Sequence, residues 1–299
     1  MRVFVAGGTG QVGRRAVNGL IAAGHEVTAI ARTADKSDLL RRAGAVPVSL
    51  SMFDPDALGR AVAGHDVVVN LATHIPVGPA AIRPWAWRED DRIRTEGSHA
   101  LVDAALHHDV GRLVQESVAF VYPDCGNDWI TEQTVPAPNP RSQAATMAAT
   151  AEAARFTGGG GLGVVLRFGL FYGRDPASLD VLARARAGKP IVLGKPGGWL
   201  APVHPEDAAA AVVAALSCPA GIYNVCEPPV RRSEWATAIG AAVGRKTANF
   251  YPHLLQGLAG PRAEPVRRSL RVDSSAFTAA TRWVPAHRST HGGWEEESN

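Results

Sequence analysis

The stretch Arg2-Val3-Phe4-Val5-Ala6-Gly7-Gly8-Thr9-Gly10-Gln11-Val12-Gly13 decides the fold. An apolar run of strand length ends at Gly7, and a helix-compatible segment, 11–23, begins within the glycine cluster. A lone glycine pattern is weak, but one lodged between a strand and a helix is specific. Gly7 allows the tight turn, Gly10 lets the backbone approach a pyrophosphate, and Gly13 lets the helix lie close to the sheet. Thr9, Gln11 and Val12 complete a turn in which the helix amino terminus faces the phosphate charge. The turn predicts a dinucleotide-binding domain.

Outward from that turn, apolar runs at 2–6, 26–31, 45–50, 66–72, 112–117 and 163–168 read as strands. They are too continuous for a half-exposed sheet and suit parallel strands covered on both faces. Segments 11–23, 35–43, 55–63, 90–108 and 143–157 are helix-compatible and alternate with them. Strict alternation predicts an α/β fold with a doubly wound parallel sheet of Rossmann type. From about Phe171 short segments broken by Pro and Gly take over, which predicts a Rossmann domain at 1–170 and a smaller substrate-binding lobe at 171–299. The tail from about His287 reads as frayed.

The chain has 299 residues and is 46% hydrophobic, enough for a full core, with no internal repeat. Its net charge of +3 comes from 31 basic and 28 acidic residues, spread without a polybasic tract, so neither nucleic acid nor an anionic membrane is an expected partner. No apolar run reaches the roughly 18 residues of a membrane helix, and no secretory signal opens the chain, which predicts a cytoplasmic protein. Cys125, Cys218 and Cys226 have no C-x-x-C spacing, so reduced thiols are expected. The histidines form no ligand pair with a nearby carboxylate, and no metal site is read.

About twenty residues beyond the glycine turn, an NAD-selective site presents Asp or Glu to the ribose hydroxyls. Here Ala31-Arg32-Thr33 stands there, with Lys36 close behind. An arginine suits a 2′-phosphate, with which it makes a forked, charged contact, so NADP is the expected cofactor ahead of NAD. The alternative is that Arg32 is a solvated turn residue.

With these motifs and others, the chain resembles the short-chain dehydrogenase/reductase superfamily, in particular its extended epimerase/dehydratase branch, over nearly its whole length. The others include Asn70-Leu71-Ala72, Glu96-Gly97, Val121-Tyr122, Leu166–Gly173, Val203-His204-Pro205-Glu206-Asp207, Gly221–Val225 and Trp283-Val284-Pro285. The resemblance implies that Leu71, Ala72 and Thr73 line the cofactor and that Met52 lies against the adenine. It places Ser51 where the family has an adenine-contacting Asp, and sets Phe168, Gly169 and Leu170 at the nicotinamide end. It also turns Trp199, His204 and Arg271 toward the substrate cleft, and suggests a homodimer through the helices at 90–108 and 143–157.

The chemistry departs from the family. The superfamily uses Tyr-x-x-x-Lys on the helix after the fifth strand, the tyrosine exchanging a proton and the lysine lowering its pKa. In the segment from Pro140 to Glu152, Ala144 stands at the tyrosine position and Ala148 at the lysine position. The only lysines, Lys36, Lys189, Lys195 and Lys246, all lie elsewhere. The helper hydroxyl is displaced too: Val118 stands four residues before Tyr122, with Ser117 one position earlier.

Three candidates for the missing chemistry cluster at the end of the fifth strand: Glu116, Ser117 and Tyr122. A half-buried Glu116 would have a raised pKa and act as acid or base; alternatively it is bonded to backbone or to an arginine. Asp124 and Trp129, in the polar loop that follows, are substrate candidates, and Trp85 and Trp87 suggest a lid or a docking contact. The reading is an NADP(H)-dependent oxidoreductase, a reductase rather than an epimerase, acting on a small polar or polyketide-like molecule through a non-standard proton donor. The alternatives are a non-catalytic NADP(H)-binding regulator or scaffold, and non-redox dehydration or isomerisation in a retained fold.

Overall fold

The computed structural model describes residues 1–76, 78–137, 143–173, 175–252, 254, 256–257 and 261–294. Pro140–Ser142, which precede the helix discussed above, lie outside the described residues.

Seven strands form one sheet in the order Gly221–Val225, Leu162–Phe168, Arg112–Val118, Val67–Asn70, Arg2–Ala6, Glu26–Ile30, Val46–Val48. All neighbours are parallel. The six strands expected from the sequence are all present. Strand order reverses around Arg2–Ala6, which pairs on one side with Glu26–Ile30 and on the other with Val67–Asn70. A doubly wound sheet opens its ligand crevice at such a point, beyond the carboxyl ends of the strands.

Period-two alternation divides the first strand between two layers. Val3 and Val5 join Ala16, Val17, Leu20, Ala211 and Val212 beneath the helices Gln11–Ala22 and Pro205–Ala214. Phe4 and Ala6 face Leu58, Leu101 and Phe156 on the helices Pro55–Val62, Ser98–His107 and Ala144–Gly158. The helix expected at 90–108 is interrupted by one π turn, Ile93–Gly97, a distortion that recurs where a helix side chain has a particular task.

The division at residue 170 does not separate the layers. After Phe171 the chain returns to the Rossmann unit, supplying the helix Pro205–Ala214 and the edge strand Gly221–Val225. That strand resembles lobe sequence because it is short and its first three residues are only half-buried. What stands apart is a core of Leu182, Val192, Leu200, Trp235 and Ile239, with the helices Pro176–Arg186 and Arg232–Ala242.

The tail is not frayed through Trp294. The Asp207 carboxylate accepts from the backbone N–H of Ala286 and His287 at 2.9 and 3.0 Å, and Glu227 accepts from Ser289 N at 2.9 and 3.0 Å. Trp294 then lies against Tyr172 and Trp235. The anchoring carboxylates are distant in sequence, so no local pattern announces them. Residues 295–299 lie outside the described residues.

His287 stacks on His204, with ring centroids 4.0 Å apart. Burial, and then the neighbouring His287, push the His204 pKa down to about 4 from 6.5. The unfolded chain therefore takes up a proton that the folded chain refuses, and stability present above pH 6.5 is lost as pH falls toward 4. With partial solvent screening the loss is on the order of 2 kcal/mol. Because His204 also caps the helix Pro205–Ala214, His204→Asn keeps a cap and removes the titration. Thermal midpoints measured from pH 7 to 4 should fall less steeply in the variant than in the wild type; parallel curves would exclude His204 as the source.

Candidate active site at the carboxyl edge of the sheet

Gly7 has φ +81°, and a side chain there would meet the Leu71 carbonyl at 2.5 Å. A Cβ on Gly13 would lie 2.0 Å from Gly7 O. The turn is therefore pressed between the fourth strand and its own helix, and only glycine fits at both positions. Gln11–Ala22 begins without a side-chain cap and with no acidic residue in its first turn, leaving its first N–H groups to an anion. The buried Gln11 Nε2 also lacks a partner. A phosphate-bearing dinucleotide fits this donor set: Gly7, Thr9, Gly10, Gln11, Val12 and Gly13 would hold the pyrophosphate.

Arg32 follows the second strand and Lys36 stands in the first turn of the helix Ala34–Arg42, both exposed. Ser51 is exposed and accepts from Phe53 N at 3.2 Å, while half-buried Met52 lies against Gly97. Beside them a buried amide network fixes the end of the fourth strand. Asn70 Nδ2 donates to Ser98 Oγ at 3.1 Å and to Gln115 Oε1 at 3.0 Å, and its Oδ1 accepts from Ala72 N at 3.2 Å. Leu71, Ala72 and Thr73 are thus set along the crevice wall. At the next wall Gly169 N donates to Val225 O and Leu170 N to Ala201 O, at 3.1 and 2.7 Å, so the N–H groups of Gly169 and Leu170 are already engaged.

Glu116 is not a free acid. Arg94 donates to its two oxygens at 2.7 and 3.2 Å and, through Nε, to Asp90 Oδ2 at 3.0 Å. Asp90 Oδ1 in turn accepts from His74 N at 2.7 Å. All three charged residues are buried. Burial alone would lower the Arg94 pKa, but attraction to Glu116 and Asp90 carries it well above the ordinary guanidinium value. The arginine alternative for Glu116 is the one realised.

The other two candidates are also occupied. Tyr122 is fully buried; its hydroxyl donates to Asn224 Oδ1 at 2.8 Å and accepts from Arg167 Nη1 at 2.7 Å, and burial raises its pKa. Ser117, also fully buried, faces Thr150 on the helix Ala144–Gly158, 3.5 Å away. Neither hydroxyl meets the crevice.

Among the substrate candidates, Trp199, Arg271 and Trp129 form one cluster. Arg271 lies over Trp129 at 4.0 Å and over Trp199 at 4.7 Å, and Arg231 covers Trp199 at 3.8 Å. Asn127 ties the cluster to the loop, accepting from Trp199 Nε1 at 3.2 Å and through its carbonyl from Arg271 at 3.0 Å. Asp124 accepts from Gly126 N at 3.0 Å on that loop. His204 stands apart from them, stacked beneath the tail.

A sequence-family model for NAD(P)H-binding proteins matches residues 7–159. The chain belongs to this NAD(P)H-binding family. It is a member of the short-chain dehydrogenase/reductase superfamily without the Tyr-x-x-x-Lys pair. A 3-diazoavenalumate denitrifying reductase from a Streptomyces species is 33% identical, aligned over 99% of this chain and 100% of that protein. A UDP-glucose 4-epimerase of Thermus thermophilus, in complex with NAD, is 25% identical with a TM-score of 0.75, over 96% of this chain and 95% of that one. The Thermotoga maritima UDP-glucose 4-epimerase with UDP-glucose shares the fold at 20% identity, with a TM-score of 0.79 and 98% and 96% coverage.

The helix that carries the superfamily's proton pair is present here as Ala144–Gly158, with Ala144 exposed and Ala148 half-buried. The scaffold of the site is retained and its two reacting side chains are truncated to methyl groups. The Asp90–Arg94–Glu116 triad escaped the sequence reading, although the i, i+4 spacing of Asp90 and Arg94 on one helix was a usable signal.

Arg94→Met would strand two buried carboxylates and should destabilise the fold by about 3–5 kcal/mol. The triple variant Asp90→Asn, Arg94→Met, Glu116→Gln should recover part of that loss in urea unfolding. A triple variant at least as unstable as the single one would show that charge pairing is not what Arg94 supplies.

Proposed function

We propose that this chain is an NADP(H)-dependent reductase that replaces the diazo group of an aryl substrate with hydrogen. The observation that carries the reading is the loss of both proton-transfer side chains from a helix that is otherwise in place. Full-length likeness to a denitrifying reductase whose named substrate bears a diazo group supports it.

The chemistry explains the loss. Carbonyl reduction delivers a hydride to carbon and must then place a proton on oxygen, which is the work of Tyr and Lys. Bound NADPH would supply a hydride. For an arenediazonium ion that electron pair forms the new C–H bond, while the C–N bonding pair departs with dinitrogen. No oxyanion arises, and no protein group has to deliver a proton. This removes the need for a substitute donor, which neither Glu116, Ser117 nor Tyr122 is free to be. The chain's own work is to hold the cofactor on the glycine turn, align the substrate and exclude water.

NADP(H) is favoured over NAD(H) by Arg32 and Lys36, exposed where a 2′-phosphate would lie. Arg32→Asp should weaken NADPH binding roughly ten- to a hundredfold, the range of one or two charge-assisted contacts, and leave NADH nearly unchanged in calorimetric titration. Equal losses for both cofactors would separate Arg32 from the phosphate.

The function is tested by incubating the purified chain with NADPH and 3-diazoavenalumate. Expected are one NADPH oxidised per dinitrogen released, and, with C4-deuterated NADPH, deuterium at the carbon that lost nitrogen. Dinitrogen release without deuterium transfer, or no NADPH oxidation, would overturn the reading.

A further inference from the structure

A cavity of about 500 Å³ opens beside the loop that follows the fifth strand. Its walls are the loop from Asp124 to Asn127, the glycine turn from Gly194 to Gly198, and the segment from Glu264 to Ser269 with Gln256. That volume is typical of a small-molecule site.

Its charges do not balance. Arg268 is neutralised by Glu264, to which it donates twice, at 2.9 and 2.6 Å. Gln256 is spent on Gly194 N and on Tyr251 O, both at 2.9 Å. Arg267 lines the cavity, and among the described residues its guanidinium makes no ion pair with a carboxylate. Lys195 stands exposed on the wall. Behind the glycine turn Arg232 is 2% exposed and donates to the carbonyls of Leu193, Val266 and Arg268 at 2.7, 2.9 and 2.6 Å, with an orphaned Nε. A side chain on Gly194 would strike that Nε at 2.6 Å, so the turn leaves the cation close behind the wall. Burial without a carboxylate partner pushes the Arg232 pKa down to about 10, with Asp124 as the one acidic influence on it. On the wall, Arg267 and Lys195 therefore stand with the carboxylate of Asp124, with Arg232 behind the turn.

We propose that this cavity is an acid-recognition subsite in which Arg267, with Lys195 on the wall, holds the carboxylate of an aryl acid substrate. A guanidinium on the wall matches the two oxygens of a carboxylate in a fork, and an ammonium beside it adds a second charge-assisted contact. Asp124 opposes a doubly charged diphosphate more than a single carboxylate, which favours an acid over a nucleotide sugar. The proposal rests on the reductase reading only in taking the occupant to be the substrate. A binding measurement without turnover keeps the two separable.

The test is calorimetric titration of the NADPH-saturated chain with 4-hydroxycinnamate, with its primary amide and with UDP-glucose. The acid should bind at least about tenfold more tightly than the amide, a difference of about 1.4 kcal/mol. Arg267→Gln should abolish that preference by weakening the acid alone, and Lys195→Gln, at an exposed position, should reduce it several-fold. The comparison of acid with amide in the wild type needs no variant, so a misfolded variant does not shield the proposal. No binding of the acid, equal binding of acid and amide, equal losses of both in Arg267→Gln, or tighter binding of UDP-glucose would each overturn it. Acid-selective binding in a chain that does not consume the diazo compound would remove the reductase reading and leave the subsite standing.

Discussion

A guanidinium buried between two carboxylates holds the floor of the crevice. Arg94 reaches from a π turn in the helical segment Arg88–His107 to Glu116 on the fifth strand, and Asp90, one helical turn earlier, holds the backbone N–H of His74. Three parts of the chain that border the cofactor crevice are thereby locked together by charge-assisted hydrogen bonds. Such a cluster costs desolvation and repays it only when every oxygen and nitrogen finds a partner. Here both Glu116 oxygens and both Asp90 oxygens do.

The sheet was legible because its signals are local. Glycines whose Cβ would strike backbone, and six continuous apolar runs, leave few alternatives in a short window of sequence. The seventh strand and the packed tail were not legible. Gly221–Val225 is ordinary as a segment and becomes a sheet strand only through its pairing with Leu162–Phe168. The tail is held by Asp207 and Glu227, some 60 to 80 positions earlier in the chain. The same physical reason explains the candidate catalysts. Glu116, Ser117 and Tyr122 stand out in the sequence as polar residues at a strand end, and the partner of each one comes from elsewhere: Arg94, Thr150, and Arg167 with Asn224.

The absence of lysine between the fourth and sixth strands needed no structure, because composition alone settles it. The structure adds that the helix expected to bear the pair is in place and that Glu116, Ser117 and Tyr122 each have a hydrogen-bond partner within the protein. The truncation is therefore confined to chemistry and spares the scaffold.

That confinement has an electrostatic side. Hydride addition to a carbonyl builds an alkoxide, and an active site stabilises it with donors or cations aimed at the oxygen. Here the cationic lysine is gone, and the triad below carries two carboxylates for one guanidinium. Such a floor opposes a developing oxyanion. It favours an electrophile that begins as a cation and becomes neutral on receiving hydride, with the charge lost in the same step as the leaving group. Arg267 and Lys195 lie instead around the cavity beyond Asp124, where they can hold a carboxylate without meeting the reacting carbon. A substrate cationic at one end and anionic at the other would be oriented by this separation alone, so orientation and chemical selectivity would both follow from where the fold keeps its unpaired charges.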